Sequence, residues 1–243
     1  MAHKKKNNRS QNVLNDKTPF AVTEAYKSAR TSLLFTNTED GCSVIAFTSA
    51  APGEGKTVTC VNMGISLAES GKKVLIIDSD MRKPQVAYTL NLLNTPGLSE
   101  LLSGVVEIDE EGDCCRQKTE HEGLDVIAAG AIPPNPAELI ACKRTAKLFE
   151  ILTKEYDYIL IDTPPCLVVT DALLYKEHLT GYVAVVRANV SRRDAVNNLV
   201  ERINQIGGRI VGFILNDRST KTGHYRHYSY GSYEKHTQNY ADD

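Results

Sequence analysis

Tryptophan is absent from this 243-residue chain, and all aromatic residues together reach only 7%. No stretch approaches the roughly 18 consecutive apolar residues that a membrane-spanning helix needs. The six cysteines, Cys42, Cys60, Cys114, Cys115, Cys142 and Cys166, contain no Cys-x-x-Cys pair. The basic start MAHKKKNNRS leads into no apolar segment of the kind a secretory signal carries. Neither sign of charge dominates: the net charge is -2, which gives no electrostatic case for nucleic-acid binding. There is no internal repeat. No Gly-x-Gly-x-x-Gly follows any apolar run, which argues against a dinucleotide-dependent oxidoreductase. Collagen, coiled coil and integral membrane protein are excluded, and a reducing, cytoplasmic setting with free thiols is expected. His224, His227 and His236 could offer nitrogen to zinc, but their spacing fits no common site.

What is present is 42% hydrophobic residues in a length that suits one large α/β domain. Residues 1–18 are polar and basic and read as a mobile arm, with Lys4, Lys5, Lys6 and Arg9 as its charges. Thr18 and Pro19 then offer an N-cap and a first helical position. Val22, Ala25, Ala29 and Leu33 continue that helix to about Phe35. Apolar runs at 43–47, 73–77, 158–161, 182–186 and 210–215 lack polar alternation, as strands buried on both faces should. Val58, Val61, Ile65 and Ala68 mark one intervening helix; Val196, Leu199, Val200 and Ile203 mark another. Alternation of this kind predicts a parallel sheet covered by helices on both faces. Residues 104–123 carry Glu107, Asp109, Glu110, Glu111, Asp113, Glu120 and Glu122 against Arg116 and Lys118, and read as a solvated loop beside a helix at 98–102.

The segment Ser49–Thr57 (SAAPGEGKT) follows a predicted strand and opens a predicted helix, the context a phosphate-binding loop requires. Gly53 and Gly55 allow backbone N–H groups to turn toward phosphate, and Pro52, Glu54 and Val58 complete the loop's backbone. Lys56, read as a surface-facing loop lysine, can reach the β- and γ-phosphates of ATP, and Thr57 can place its hydroxyl on Mg²⁺. Ala50 stands where the usual pattern has its first glycine. Asp78 and Asp80 end one buried run and Asp162 ends another, where carboxylates face the ligand crevice of open α/β sheets. Asp162 reads as the Mg²⁺ group. Either Asp78 or Asp80 could polarise an attacking hydroxyl, or cap the following turn. Asp80 also joins Thr57 and Asp162 as a candidate metal ligand.

Five of the eleven tyrosines, Tyr225, Tyr228, Tyr230, Tyr233 and Tyr240, lie in the last part of the chain. Small and polar residues separate them, so the segment 217–243 reads as a flexible extension offering accessible phenols. Together the residues 52–57 (PGEGKT), 77–82 (IDSDMR), 162–165 (DTPP) and the tyrosine cluster resemble the bacterial protein-tyrosine kinases encoded with capsular or exopolysaccharide synthesis genes. The similarity is to the form in which the kinase and its transmembrane activator are separate chains, and it covers about residues 19–243. Pro133–Glu138 (PPNPAE) also resembles a family segment, with Asn135 as N-cap and a helix from Pro136.

The resemblance implies a three-layer P-loop NTPase fold of the deviant Walker class, with a kinase domain over 19–216. It implies ATP and Mg²⁺ as cofactors and autophosphorylation of the tail. It further implies a homo-oligomeric ring, a transmembrane activator or chain-length determinant, a tyrosine phosphatase as partner, and recruitment to the inner face of the membrane. In that family an acidic–basic–basic motif on the first helix joins ring subunits; here it reads Glu24, Lys27, Arg30. Lysine in place of the first arginine turns a bidentate clamp into a point charge. The rival readings are a partition or division-site ATPase and a nucleotide-gated assembly protein of polysaccharide export. Ala51 stands where partition ATPases carry an extra lysine, which argues against the first of these.

Overall fold

Every residue of Ser43–Ser49, Val74–Asp78 and Tyr158–Asp162 is buried. Extended segments buried on both faces satisfy their backbone by lying side by side inside a sheet. The computed structural model, which describes residues 12–36, 41–108 and 115–217, places them so. In chain order the elements are α1 (Phe20–Thr36), β1 (Ser43–Ser49), α2 (Lys56–Ala68), β2 (Val74–Asp78), α3 (Val86–Leu90) and α4 (Leu98–Ser103). They continue with β3 (Arg116–Lys118), β4 (Leu124–Ile127), α5 (Pro136–Ile140), α6 (Lys143–Leu152) and β5 (Tyr158–Asp162). A 3₁₀ helix (Asp171–His178), β6 (Gly181–Arg187), α7 (Arg193–Gln205) and β7 (Ile210–Asn216) complete them.

The described strands form one seven-stranded sheet in the order β3-β4-β2-β5-β1-β6-β7. All pairs are parallel except β3 with β4. Successive side chains of a strand point to opposite faces, and the two cores follow that period. Val44, Ala46, Leu75, Ile77, Ile159 and Ile161 meet Leu101, Leu148, Phe149 and Leu199 on one face. Ile45, Phe47, Ile76, Tyr158 and Leu160 meet Leu33, Val61 and Ile65 on the other. This is a three-layer α/β fold with a mostly parallel sheet, as expected.

Several local expectations are corrected. Residues 12–18 are not part of a mobile arm: Val13 and Leu14 are buried, and Asn62 of α2 holds their backbone. Asn62 accepts the amide of Leu14 at 2.9 Å and donates to the carbonyl of Asn12 at 2.9 Å. Thr18 does not cap α1; its hydroxyl accepts the amide of Asn15. Residues 116–118 form the edge strand β3 inside the segment read as loop, and β4 follows it. Strand β7 is an edge strand rather than a doubly buried one, with Phe213 and Leu215 each 54% exposed. The three tail histidines, the tail tyrosines and Cys114 lie outside the described residues, as do Lys4, Lys5, Lys6 and Arg9.

Candidate active site

Strand β5 lies between β1 and β2, so three neighbouring strand ends converge. The register sets Asp162 beside Phe47 of β1 on one side and beside Asp78 of β2 on the other. The phosphate loop leaves β1 at Ser49 and enters α2 at Lys56. Gly55 has φ +92° and Gly53 φ +80°, left-handed backbone that glycine adopts without a Cβ penalty. The first amides of the 13-residue α2, at Lys56, Thr57 and Val58, have no partner inside the helix and are the kind of donors that receive anions at a helix start.

Lys56 is not surface-facing. Only 14% of its side chain is exposed, and its Nζ stands 3.1 Å from Asp80 Oδ2. Burial alone would lower its pKa, but the charges of Asp162, Asp80 and Asp78 together raise it. Thr57 donates its hydroxyl to Asp162 Oδ2 at 2.7 Å. The other oxygen, Asp162 Oδ1, is buried without a hydrogen-bond partner among the described residues. A buried carboxylate oxygen left over beside a threonine hydroxyl suits a hard cation such as Mg²⁺, which takes oxygen ligands. Burial raises the pKa of both Asp162 and Asp78; for Asp78 the neighbouring charge of Asp162 adds to it.

Asp78 and Asp80 are held differently. Asp78 is fully buried and accepts the amides of Asp80 (3.1 Å), Gln85 (3.0 Å) and Val86 (2.9 Å). It therefore closes the turn that leads into α3. Among the described residues, the Asp80 side chain accepts the amide of Lys83 besides its bond to Lys56. Arg82 forks onto the buried Asp171 at 2.9 and 3.2 Å, joining this turn to the 3₁₀ helix. Ser79 donates to the buried Tyr175 hydroxyl at 2.8 Å. Arg82's partner and Tyr175 carry no motif, and reading the chain alone does not find them.

Of the proposed ring residues, Glu24 and Lys27 pair with each other on α1 at 2.9 Å. Arg30 instead donates to the Ser66 carbonyl of α2 at 2.6 Å, stapling α1 to the domain. Helix α5 starts at Pro136 as read, but Asn135 donates its side-chain amide to Glu138 rather than capping a helix N–H. A cavity of about 370 Å³ lies at the opposite end of the sheet, between Arg116, His121, Asp125 and Tyr156. Within it Tyr156 donates to Asp125, Lys118 pairs with Asp125 and Arg116 with Glu155, while His121 Nε2 is buried without a hydrogen-bond partner among the described residues. It has no part in the phosphate site.

A family model described as AAA domain matches residues 42–210. Tyrosine-protein kinase YwqD of Bacillus subtilis is 33% identical over 210 residues, which is 86% of this chain and 85% of that protein. The chain belongs to the bacterial tyrosine-protein kinase family. Tyrosine-protein kinase wzc of Salmonella typhimurium is 36% identical over 211 residues; the match covers 87% of this chain but 29% of that longer protein. Among solved structures, the chimerical protein CapA2B2 superposes with a TM-score of 0.76 at 36% identity, covering 84% of this chain and 87% of that one. Among the described residues, no helix is long and apolar enough to cross a membrane.

Proposed function

We propose that this chain is an ATP-dependent protein-tyrosine autokinase that phosphorylates its own C-terminal tyrosine cluster and thereby regulates capsular or exopolysaccharide synthesis and export. The observation that carries this reading is the convergence of a helix-opening phosphate loop, a partly buried lysine and three buried carboxylates at or just beyond adjacent strand ends. The loop amides and Lys56 bind the β- and γ-phosphates, and Lys56 leaves Asp80 to do so. Thr57 and Asp162 would hold Mg²⁺, which when bound neutralises phosphate charge as the bond to the leaving ADP oxygen lengthens.

Asp80, rather than Asp78, takes the hydrogen of the attacking phenol. A tyrosine hydroxyl with pKa near ~10 needs a base close by, and Asp78 already has its oxygens engaged by three backbone amides. The γ-phosphoryl group passes to the phenolic oxygen, its proton goes to Asp80, and ADP keeps the bridging oxygen. Tyr225, Tyr228, Tyr230, Tyr233 and Tyr240 are the acceptors, offered in trans by a neighbouring subunit of a ring built through Glu24, Lys27 and, once it leaves the Ser66 carbonyl, Arg30. A transmembrane activator brings the kinase to the inner face of the membrane, and a tyrosine phosphatase reverses the modification.

Mixing a Lys56→Met chain that keeps its tail with an active chain lacking residues 223–243 tests this in Mg-ATP. Labelled tyrosine on the Lys56→Met chain is the expected result. If that chain stays unlabelled while intact chains label themselves at a concentration-independent rate, transfer is not in trans. If intact chains hydrolyse ATP but never acquire phosphotyrosine, with or without an activator fragment, the nucleotide-gated assembly reading replaces the kinase one.

A further inference from the structure

The phosphate loop is gripped from outside by the last residues of two strands. Arg187, at the end of β6, donates Nη1 to the Gly53 carbonyl at 3.1 Å. Its Nε and Nη2 both reach Asp217 Oδ2 at 3.0 Å. Asn216, at the end of β7, donates Nδ2 to the Glu54 carbonyl at 3.1 Å. Its Oδ1 accepts the amide of Asp217 at 2.8 Å. From within the loop, Glu54 is only 2% exposed. It accepts the Ala51 amide at 2.9 Å and the Ser191 hydroxyl, while Ser191 accepts the amide of Arg187 at 2.8 Å. A Cβ on Gly55 would collide with the Asn216 side chain, so loop and clasp are fitted to each other.

We infer that Arg187 and Asn216 are positioning residues for the phosphate loop, and that Asp217 couples their grip to the chain leading into the tyrosine-bearing residues. A trans peptide unit is planar, with its carbonyl and its N–H on opposite sides. Holding the Gly53 and Glu54 carbonyls outward therefore aims the amides of Glu54 and Gly55 inward, where phosphate oxygens are received. Asp217 holds the guanidinium that does part of this holding. It adopts φ +56°, a left-handed conformation that aspartate tolerates better than most side chains. Whatever moves Asp217 costs the loop its preset shape, and by linkage nucleotide binding steadies Asp217 by the same factor. The root of the tail thus reports whether the site is loaded.

This inference rests on the reading that the loop binds a nucleotide. Asp217→Asn removes the charge that holds Arg187 without altering any loop atom. The expected result is a Kd for Mg-ADP, measured by titration calorimetry, that rises about three- to tenfold with the melting temperature unchanged. In the unmutated chain Mg-ADP slows tryptic cleavage after Arg218, and in Asp217→Asn this protection is lost. Arg187→Lys is expected to lose protection as well, because one ammonium can serve Gly53 or Asp217 but not both. A Kd within about twofold of the unmutated value, or an undiminished protection ratio in both variants, overturns the coupling. Absence of protection in the unmutated chain overturns it too. An unmutated chain that binds no Mg-ADP at all refutes the nucleotide reading itself, a different outcome from intact binding that ignores Asp217.

Discussion

Among the described residues, Lys56 carries a charge that meets three carboxylates, so its removal acts on both chemistry and folding. Lys56→Met is expected to lower phosphoryl transfer at least ~100-fold, the scale of losing one preorganised charge contact. It should also lower the melting temperature of the nucleotide-free chain. Breaking a buried pair costs about 3–5 kcal/mol when the surviving charge is fully enclosed. Asp80 is 7% exposed, so the loss belongs toward the lower end of that range. Adding Asp80→Asn to Lys56→Met should recover part of the melting temperature, since the orphaned charge goes with it. Calorimetric melting of the single and double variants checks this; equal melting of all chains would show that Lys56 carries no structural share. The carboxylates and Lys56 were legible from their places after apolar runs. Their division of labour was not, because the amides that occupy Asp78 belong to residues several positions further along.

At the scale of elements, the segment before α1 is tied down by one buried side chain. Asn62→Ala removes both bonds to residues 12–14 and leaves a buried amide without its acceptor. It should cost about 1–3 kcal/mol, with faster hydrogen exchange over residues 12–18 and little change over β1 or β5. Unchanged exchange at Leu14 would contradict that role. Strands β1, β2, β5 and β6 were readable because uninterrupted apolar runs suit a sheet covered on both faces. Strand β4 hid behind Asp125, a carboxylate paired there with Tyr156 and Lys118. Strand β3, Arg116-Gln117-Lys118, has no apolar signal because it lies at an edge. The docking of Val13 and Leu14 depends on an asparagine 48 positions away, which no local pattern reports.

For the molecule as a whole, two measurements bear on stability and assembly. His178 stacks on Phe149 with ring centroids 5.0 Å apart, and its burial lowers its pKa below the usual 6.5. The unfolded chain therefore binds this proton more readily, so stability is lost as pH falls below about 6.5. His178→Phe should abolish that share, and its melting-temperature difference from the parent should shift in its favour between pH 7.5 and 5.5. A constant difference across that range would count against it. In assembly, the exposed Glu24–Lys27 pair contributes little within one chain and is easily exchanged for a neighbour's charge. Lys27→Arg, with its bidentate fork, should raise the associated fraction in sedimentation velocity; no change would place α1 outside the interface. The sheet order also bears on how the protein is made. Phe47 bonds Thr163 across 116 positions, and the Glu54 carbonyl finds Asn216 across 162. Contacts so distant in sequence form late and slowly. A chain still emerging from the ribosome lacks the Asn216 bond to its phosphate loop until β7 has been synthesised, so the loop is not fully held before the last described strand is in place.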